Sequence, residues 1–547
     1  MENVKNKAKS IPKYIWILLV IILVGIFFRA YNFHNWLYFS SDQVRDTLLV
    51  EKTLKGESGW PLLGASMRKS GISKEDLFYL GPIYYHFQII SGKIFGIGPD
   101  KMAYPDLLFS ILSIPLFFFF LRRYFTNNVS LALTGLYSIS FFSIKYSRFA
   151  WNPNIIPFFV ILFLLSFHEF LIKKEKTRRY WIVLAGISIG VGIQLHMILL
   201  ILLPVTTFFL FIFLMKKNWK LWKKCLIIVL VAIFLNTSQI ISEIKANFTN
   251  SKAFLSSITN SADQVDKKSK LFMKIINNAD CHIEANAYMI SSRGENICDF
   301  SYSRLIRNDE TKKFMKKIHE PIFLMFVILV FLFTVFGYSS LIYYFRSEKE
   351  KNKKYFLGLI MLYCGLSFLL MIPIISAGLG EFRYFIHTFF MPFIFLGILS
   401  GTLKRKYPMM IVVAILVFIF LTISNLLSIK SSAQELLNKN GSGAHSVFLG
   451  EAESLANYIV SNSNNQKEGY LIGGFMYVSN LYRPLYYLTE KQNFNLIKGE
   501  GMLEPIPSGK PLFYIMEADD NFDTEIREHK INDYKKFGKI IIFTLNN

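Results

Sequence analysis

Cysteine is scarce in this chain, with four in 547 residues, too few for a disulfide scaffold. No CxxC pair or zinc-type Cys/His spacing occurs, and neither a GxGxxG nor a P-loop motif is present, so the sequence offers no metal or nucleotide signature. Acidic residues are also few, 38 Asp and Glu against 61 Lys and Arg, for a net charge of +23. Nucleic-acid binding would need those cations gathered in one domain. They come instead in short clusters between apolar segments, the pattern of membrane topology. No small-residue cleavage site follows the first apolar run, because FFRAYNFHNW comes next. The N-terminus therefore reads as an uncleaved first span, not a signal peptide. No internal repeat relates two halves of the chain, which argues against the inverted-repeat transporters.

Apolar residues, by contrast, are abundant: 52% of the chain is hydrophobic and 16% aromatic, a polytopic membrane composition. At roughly 20 apolar residues per crossing, eleven spans are expected: 12–31, 103–121, 129–147, 154–172, 180–196, 198–215, 225–243, 320–345, 355–376, 383–402 and 408–428. A further stretch, GPIYYHFQIISGKIFGIG at 81–98, is broken by Gly, His, Gln and Lys. Treating 81–98 as lying along the outer face puts RRYFTNN, KKEKTRRY, KKNWKLWKK, RSEKEKNKK and LKRKY in the cytoplasm, as the positive-inside rule asks. The N-terminus is then cytoplasmic. The first loop (32–102), a large loop (244–319) and the tail (430–547) are extracytoplasmic. Cys225 and Cys364 sit in apolar runs as core residues, whereas Cys281 and Cys298 share the large outer loop and can form one bridge there. In the tail, GYLIGGFMYV, PLFYIM and KIIIFTL are strand-sized and a helical AESLANYIVSNS precedes them, so a small α/β domain follows the transmembrane domain 1–429.

Three features could carry chemistry at that outer face. The stretch FSSDQVRDTLLVEKTLKG sets Asp42 and Asp46 one helical turn apart just beyond the first span. They read either as solvated carboxylates or as a general base at the membrane boundary. KYSRFAWNPN places Arg148, Asn152 and Asn154 where a span emerges, either as an interfacial anchor or as phosphate and sugar contacts. GEFRYFIHTFFMP opens a late span with Arg383, Tyr384 and His387, the Arg and His on one helical face, which should turn toward a cavity because such groups are costly in lipid. His86 lines a site or anchors at the interface, and His196 is assigned no role.

The order of these motifs resembles the lipid-carrier-dependent glycosyltransferases of the C-type membrane fold, the group of protein O-mannosyltransferases and aminoarabinose transferases. The resemblance covers most of residues 12–402. Asp42 matches the family's catalytic Asp, but Gln43 stands where Glu is usual. Pro82, Tyr84 and Tyr85 match a His-Pro-Pro-Leu-Tyr-Tyr segment whose His is missing here. Ser147-Arg148 matches a Ser-Arg at the end of the third span, and Arg383-Tyr384 a late Arg-Tyr. The Asp-x-Asp of the metal-dependent oligosaccharyltransferases is replaced by Trp151-Asn152-Pro153-Asn154, so neither a metal nor another cofactor is indicated.

The resemblance implies inverting transfer of a hexosyl or pentosyl group in the cell membrane, from a polyprenyl-phosphate sugar to a hydroxyl of a glycan, lipid or protein. Asp42 would be the base, Asp46 a helper, and Arg148 or Arg383 would hold the phosphate. The competing class is a non-catalytic lipid-linked-sugar binder, flippase or polysaccharide-export component. Polar groups gathered at the outer surface, not at mid-membrane, disfavour transport.

Overall fold

The computed structural model describes residues 12–67, 78–173, 175–264, 271–292, 321–376, 382–406, 411–443, 446–473, 475–499, 509–517 and 534–545. Among these, seven helices are long and apolar enough to cross a membrane, and eight if one bent pair is a single span. The first, α1 (Lys13–Ala30), is apolar on all sides and only 17% buried over its window, so it presents its side chains to lipid. After it come α2 (Ser41–Leu54), α3 (Ile83–Phe95) and α4 (Tyr104–Leu121). The helix over 83–95 has 13 residues, about 20 Å at 1.5 Å per residue, which is short of a bilayer core. The most central span runs through Asn152–Ile172 and is 83% buried, which is why its apolar residues show no solvent-facing stripe.

Several expected spans are interrupted, each for a local reason. Instead of one helix over 129–147 the chain forms α5 (Asn127–Ser138) and a short α6 (Phe141–Lys145). Ser140 starts the second by accepting the Ser143 N–H in its hydroxyl. The stretch 225–243 is bent by 64° between Trp219–Leu235 and Thr237–Lys245. At the bend the Asn236 amide donates to the carbonyls of Gly190 and Ala232, a side chain inserted into the helical ladder. The late stretch 383–402 opens as two single 3-10 turns, Phe382–Tyr384 and Ile386–Thr388, and the helix starts only at Met391. Arg383 and His387 therefore do not share a regular helical face.

The large loop is also not all loop. Leu271–Ser291 is a helix that buries Asn278, Cys281, His282 and Asn286, with the Asn278 amide donating to the Phe368 carbonyl. Cys281 is disulfide-bonded, while Cys298 lies outside the described residues.

The last span, α7 (Ile411–Leu437), runs beyond its apolar portion into the tail. There α8 (Leu449–Ser461) and a helix over Phe475–Glu490 flank five strands: β1 (Glu468–Gly473), β2 (Asn495–Lys498), β3 (Leu512–Glu517), β4 (Tyr534–Phe537) and β5 (Ile540–Leu545). Their order is β2-β1-β3-β5-β4, parallel across the first three and antiparallel at the β5 edge. GYLIGGFMYV divides at its glycines, the first part being strand and the FMYV part the first turn of a helix.

The tail does not stand apart. The backbone of 35–39 pairs with 447–450 through Phe39 N–H to Val447 O (2.8 Å), Leu449 N–H to Leu37 O (2.9 Å) and Gly450 N–H to Asn35 O (3.2 Å). One hydrophobic core holds Leu37, Phe39 and Val44 of the first loop together with Leu449, Leu455, Leu485 and Phe513 of the tail. His34 adds an ionic clasp, 3.0 Å from Glu453 and 3.2 Å from Asp100.

Burial alone would lower the His34 pKa, but its bonds to Glu453 and Asp100 outweigh that and raise it. A raised folded-state pKa contributes stability that is complete below the ordinary value near 6.5 and is lost as pH climbs through the folded value. The half-exposed pair is screened and worth less than about 1 kcal/mol. Amide exchange in the 35–39 and 447–450 ladder is therefore expected to quicken modestly between about pH 6 and pH 8. After correction for intrinsic chemistry, the trend should be flat in His34→Gln.

Candidate active site

The site begins where α1 ends. A helix C-terminus leaves carbonyls without intrahelical partners and carries partial negative charge. Arg148 satisfies them: Nη1 donates to the carbonyls of Phe28 (3.2 Å) and Arg29 (2.8 Å), and Nη2 to those of Tyr31 (2.8 Å) and Asn32 (3.2 Å). The guanidinium also lies over the Phe33 and Trp36 rings, at 5.6 and 5.5 Å. Both Nη groups are thus already engaged, which bears directly on the phosphate role expected of Arg148. Arg29, unmarked in the sequence, is wholly buried and joins α1 to α4, α5 and α6 through Ser110, Ser138 and Ser143.

The loop held by Arg148 leads into α2, whose start is a capping box between Ser40 and Gln43. The Gln43 side-chain oxygen accepts from the Ser40 amide (3.1 Å) and hydroxyl (2.6 Å), and its amide nitrogen donates to the Ala150 carbonyl at 3.0 Å. That last bond explains the departure from the Asp-Glu pattern, because a glutamate has no N–H to donate to a carbonyl.

Asp42 and Asp46 share α2 but not an environment. Asp42 is exposed and accepts from Arg45 Nη1 at 3.1 Å. Asp46 is buried and accepts from Arg45 Nε and the Tyr85 hydroxyl, both at 2.8 Å. Burial pushes the Asp46 carboxyl pKa up, with Arg45 and Tyr85 pulling it partly back. A second buried carboxylate, Asp106, accepts from the Tyr84 hydroxyl (2.7 Å) and the Trp151 N–H (3.3 Å). Adjacent tyrosines on α3 therefore fasten the two acids. Gly81, just before α3, packs so closely on Gln194 that a Cβ would lie 2.2 Å from its Oε1, so only glycine fits there.

A cavity of about 1210 Å³ opens between these elements. Its wall takes Phe27 and Phe28 from α1, and Trp36, Tyr38, Asp42 and Gln43 from the first loop and α2. Lys145 ends α6, Arg148 and Trp151 follow it, most of 427–437 comes from α7, and Ser446 and Phe448 come from the tail. Asp42 and Arg148 therefore meet at one cavity, with Lys145 beside them.

The other expected site residues lie elsewhere. Arg383, Tyr384, His387, Tyr84, Tyr85, Asn152 and Asn154 are absent from this wall as described. Arg383 lies over the Tyr384 ring, which meets His196 edge-on at 5.0 Å, and the Ser367 hydroxyl is 2.6 Å from His387 Nε2. The amides of Asn152 and Asn154 donate to the carbonyls of Leu195 and Phe149, shaping the turn. Among the described residues no group of three or more His, Cys, Asp or Glu is placed to hold a metal. Lys145 went unremarked because one lysine at the end of an apolar run reads as an interfacial anchor. Its position one turn before Arg148 is the signal that was available.

Gln43→Glu, which restores the family's acid, should be destabilising here. A carboxylate facing the Ala150 carbonyl loses one bond and adds repulsion, about 1–3 kcal/mol. The thermal midpoint of the purified protein should fall in Gln43→Met, which removes the donor without adding charge, and fall further in Gln43→Glu, where repulsion from the Ala150 carbonyl adds to the lost bond.

Residues 80–239 match the family model for dolichyl-phosphate-mannose-protein mannosyltransferase. No curated protein matches the chain. Among solved structures, ArnT from Cupriavidus metallidurans bound to undecaprenyl phosphate aligns at 14% identity over 97% of both chains, with a TM-score of 0.50. Its apo form gives 12% identity, 97% of both chains and 0.48. The Archaeoglobus fulgidus oligosaccharyltransferase AglB, in complex with an inhibitory peptide and a dolichol-phosphate, gives 10% identity and 0.48, over 89% of this chain and 64% of its own. The chain thus has the C-type membrane glycosyltransferase fold, and its residues 80–239 are similar to the dolichyl-phosphate-mannose-protein mannosyltransferase family model.

Proposed function

We propose that this protein transfers a sugar from a polyprenyl-phosphate carrier to an acceptor hydroxyl, with inversion, in the cavity that Asp42 lines. The observation that carries this reading is the composition of that cavity: two exposed carboxylates, Asp42 at the start of α2 and Glu435 on α7, share with Lys145 a chamber whose rim is formed by lipid-facing helices. Phe27 of α1 and Leu427 of α7 are both largely exposed, so an isoprenoid chain can enter sideways between the two helices while its phosphate stays in the chamber.

In this mechanism the acceptor oxygen attacks the anomeric carbon as the bond from that carbon to the phosphate oxygen breaks. Asp42 takes the acceptor proton, and polyprenyl phosphate leaves with the bonding pair. Lys145 is assigned to the phosphate because it lines the chamber one turn before Arg148, whose Nη groups bind carbonyls at the end of α1 and just beyond it. A cation placed at the leaving group stabilises charge that grows in the transition state. Asp46, out of the cavity wall, acts through Arg45, which it orients toward Asp42. The Cys281 disulfide supports an extracytoplasmic position for this side of the molecule, where disulfides persist.

Asp42→Asn should retain binding of polyprenyl phosphate but lose transfer by about 10²–10⁴-fold, the usual weight of a general base. Release of labelled sugar from its lipid carrier by the purified variant is the measurement. A wild-type rate would remove Asp42 from the mechanism.

A further inference from the structure

The helix α7 extends about two turns past its apolar portion, and that extension is not featureless. Ser428, Ser431, Ser432 and Glu435 follow at the i, i+3, i+4, i+7 spacing of one helical face and line the cavity, with the apolar Leu427, Ile429, Ala433, Leu436 and Leu437 of the same segment lining it beside them. Lys430 and Gln434, on the opposite side, do not line it. A face of three hydroxyls and a carboxylate offers both donors and acceptors, the carboxylate accepting only.

The other wall is aromatic. Trp36, Tyr38, Phe149 and Trp151 line the same chamber and are only partly buried, so ring surface remains open to it. Phe149 and Trp151 are nearly parallel, 5.8 Å apart at 27°, and Tyr38 stands edge-on to Phe149 at 5.4 Å. Such walls ask for a ligand with a flat apolar face and a rim of hydroxyls. A pyranose ring has both, its axial C–H bonds stacking on aromatic faces and its hydroxyls reaching serines and a carboxylate. A peptide acceptor would bring backbone amides in need of a ladder of partners, which four side chains on a helix face do not supply.

We propose that the acceptor is a neutral saccharide, seated between the aromatic wall and the Ser/Glu face of α7 with one hydroxyl directed to Asp42. The inference rests on the reading of this cavity as a glycosyl-transfer site. It commits that reading to one acceptor class and adds no chemical step to it.

The test uses the full chain in lipid nanodiscs and three fluorescent probes: polyprenyl phosphate, a panel of neutral tri- and tetrasaccharides, and a Ser/Thr-rich peptide. Saccharide binding should be measurable for the wild type. It should weaken about tenfold or more in Glu435→Gln and in Ser431→Val/Ser432→Val, as expected for losing hydrogen bonds of which one is to a charged group. Lys430→Ala, on the far face, should bind like the wild type, and polyprenyl phosphate should bind equally well to all of these proteins. Peptide binding without saccharide binding would overturn the inference, as would saccharide binding indifferent to both α7 variants. Failure of the wild type to bind polyprenyl phosphate would instead strike the cavity reading itself, and the inference would fall with it.

Discussion

Arg148 is the side chain on which the geometry of the cavity depends. The end of α1 leaves carbonyls that neither lipid nor a packed interior can hydrogen-bond. One guanidinium takes those of Phe28 and Arg29 together with the carbonyls of Tyr31 and Asn32 just beyond the helix, and lies against the rings of Phe33 and Trp36. Its own carbonyl accepts the Tyr38 N–H at 3.2 Å. The path of residues 31–39 is thereby set, and with it the start of α2 and the position of Asp42. Hydrogen bonds to a charged group contribute about 1.5–3 kcal/mol each. The clamp therefore offsets much of the entropy of ordering residues 31–39, at about 1–2 kcal/mol per residue.

The cavity follows from that constraint together with the tail. The peripheral helices α1 and α7 leave a gap toward lipid, and the turn containing Lys145 and Trp151 closes its back. The tail roofs it through Ser446 and Phe448. Since the first loop and the tail share one core around Phe39 and Leu449, the roof and the carboxylate-bearing helix move as a unit. Lys491 and Lys55 add ion pairs to the buried Glu51 at the far end of α2, so that helix is held at both ends.

Much of this was legible in the residues. Long apolar runs located most of the helices, short apolar runs located three of the five tail strands, and the acidic exit from the first span marked the helix whose Asp42 lines the cavity. What was not legible has physical causes. An arginine at a span end looks the same whether it clamps carbonyls or binds a phosphate, and only the partners of Arg148 distinguish them. Helices that break at Ser140 and Asn236 do so through side-chain bonds to local or distant backbone, which hydropathy does not register. The polar face of α7 was hidden because an apolar run ending near residue 428 marks the end of hydrophobic composition, not of the helix, which continues to Leu437. Buried Arg29 and Asp106 were invisible because their partners, Ser110 and Ser143 for one and Tyr84 for the other, are uncharged.

The central claim is that the chamber lined by Asp42 receives the lipid phosphate. A structure of the protein in nanodiscs with polyprenyl phosphate bound addresses it directly. The phosphate should lie within about 4 Å of the Lys145 ammonium, as an ion pair requires, with the isoprenoid chain leaving between α1 and α7. Phosphate density beside Arg383 and His387, with the Asp42 chamber empty of lipid, would contradict the account.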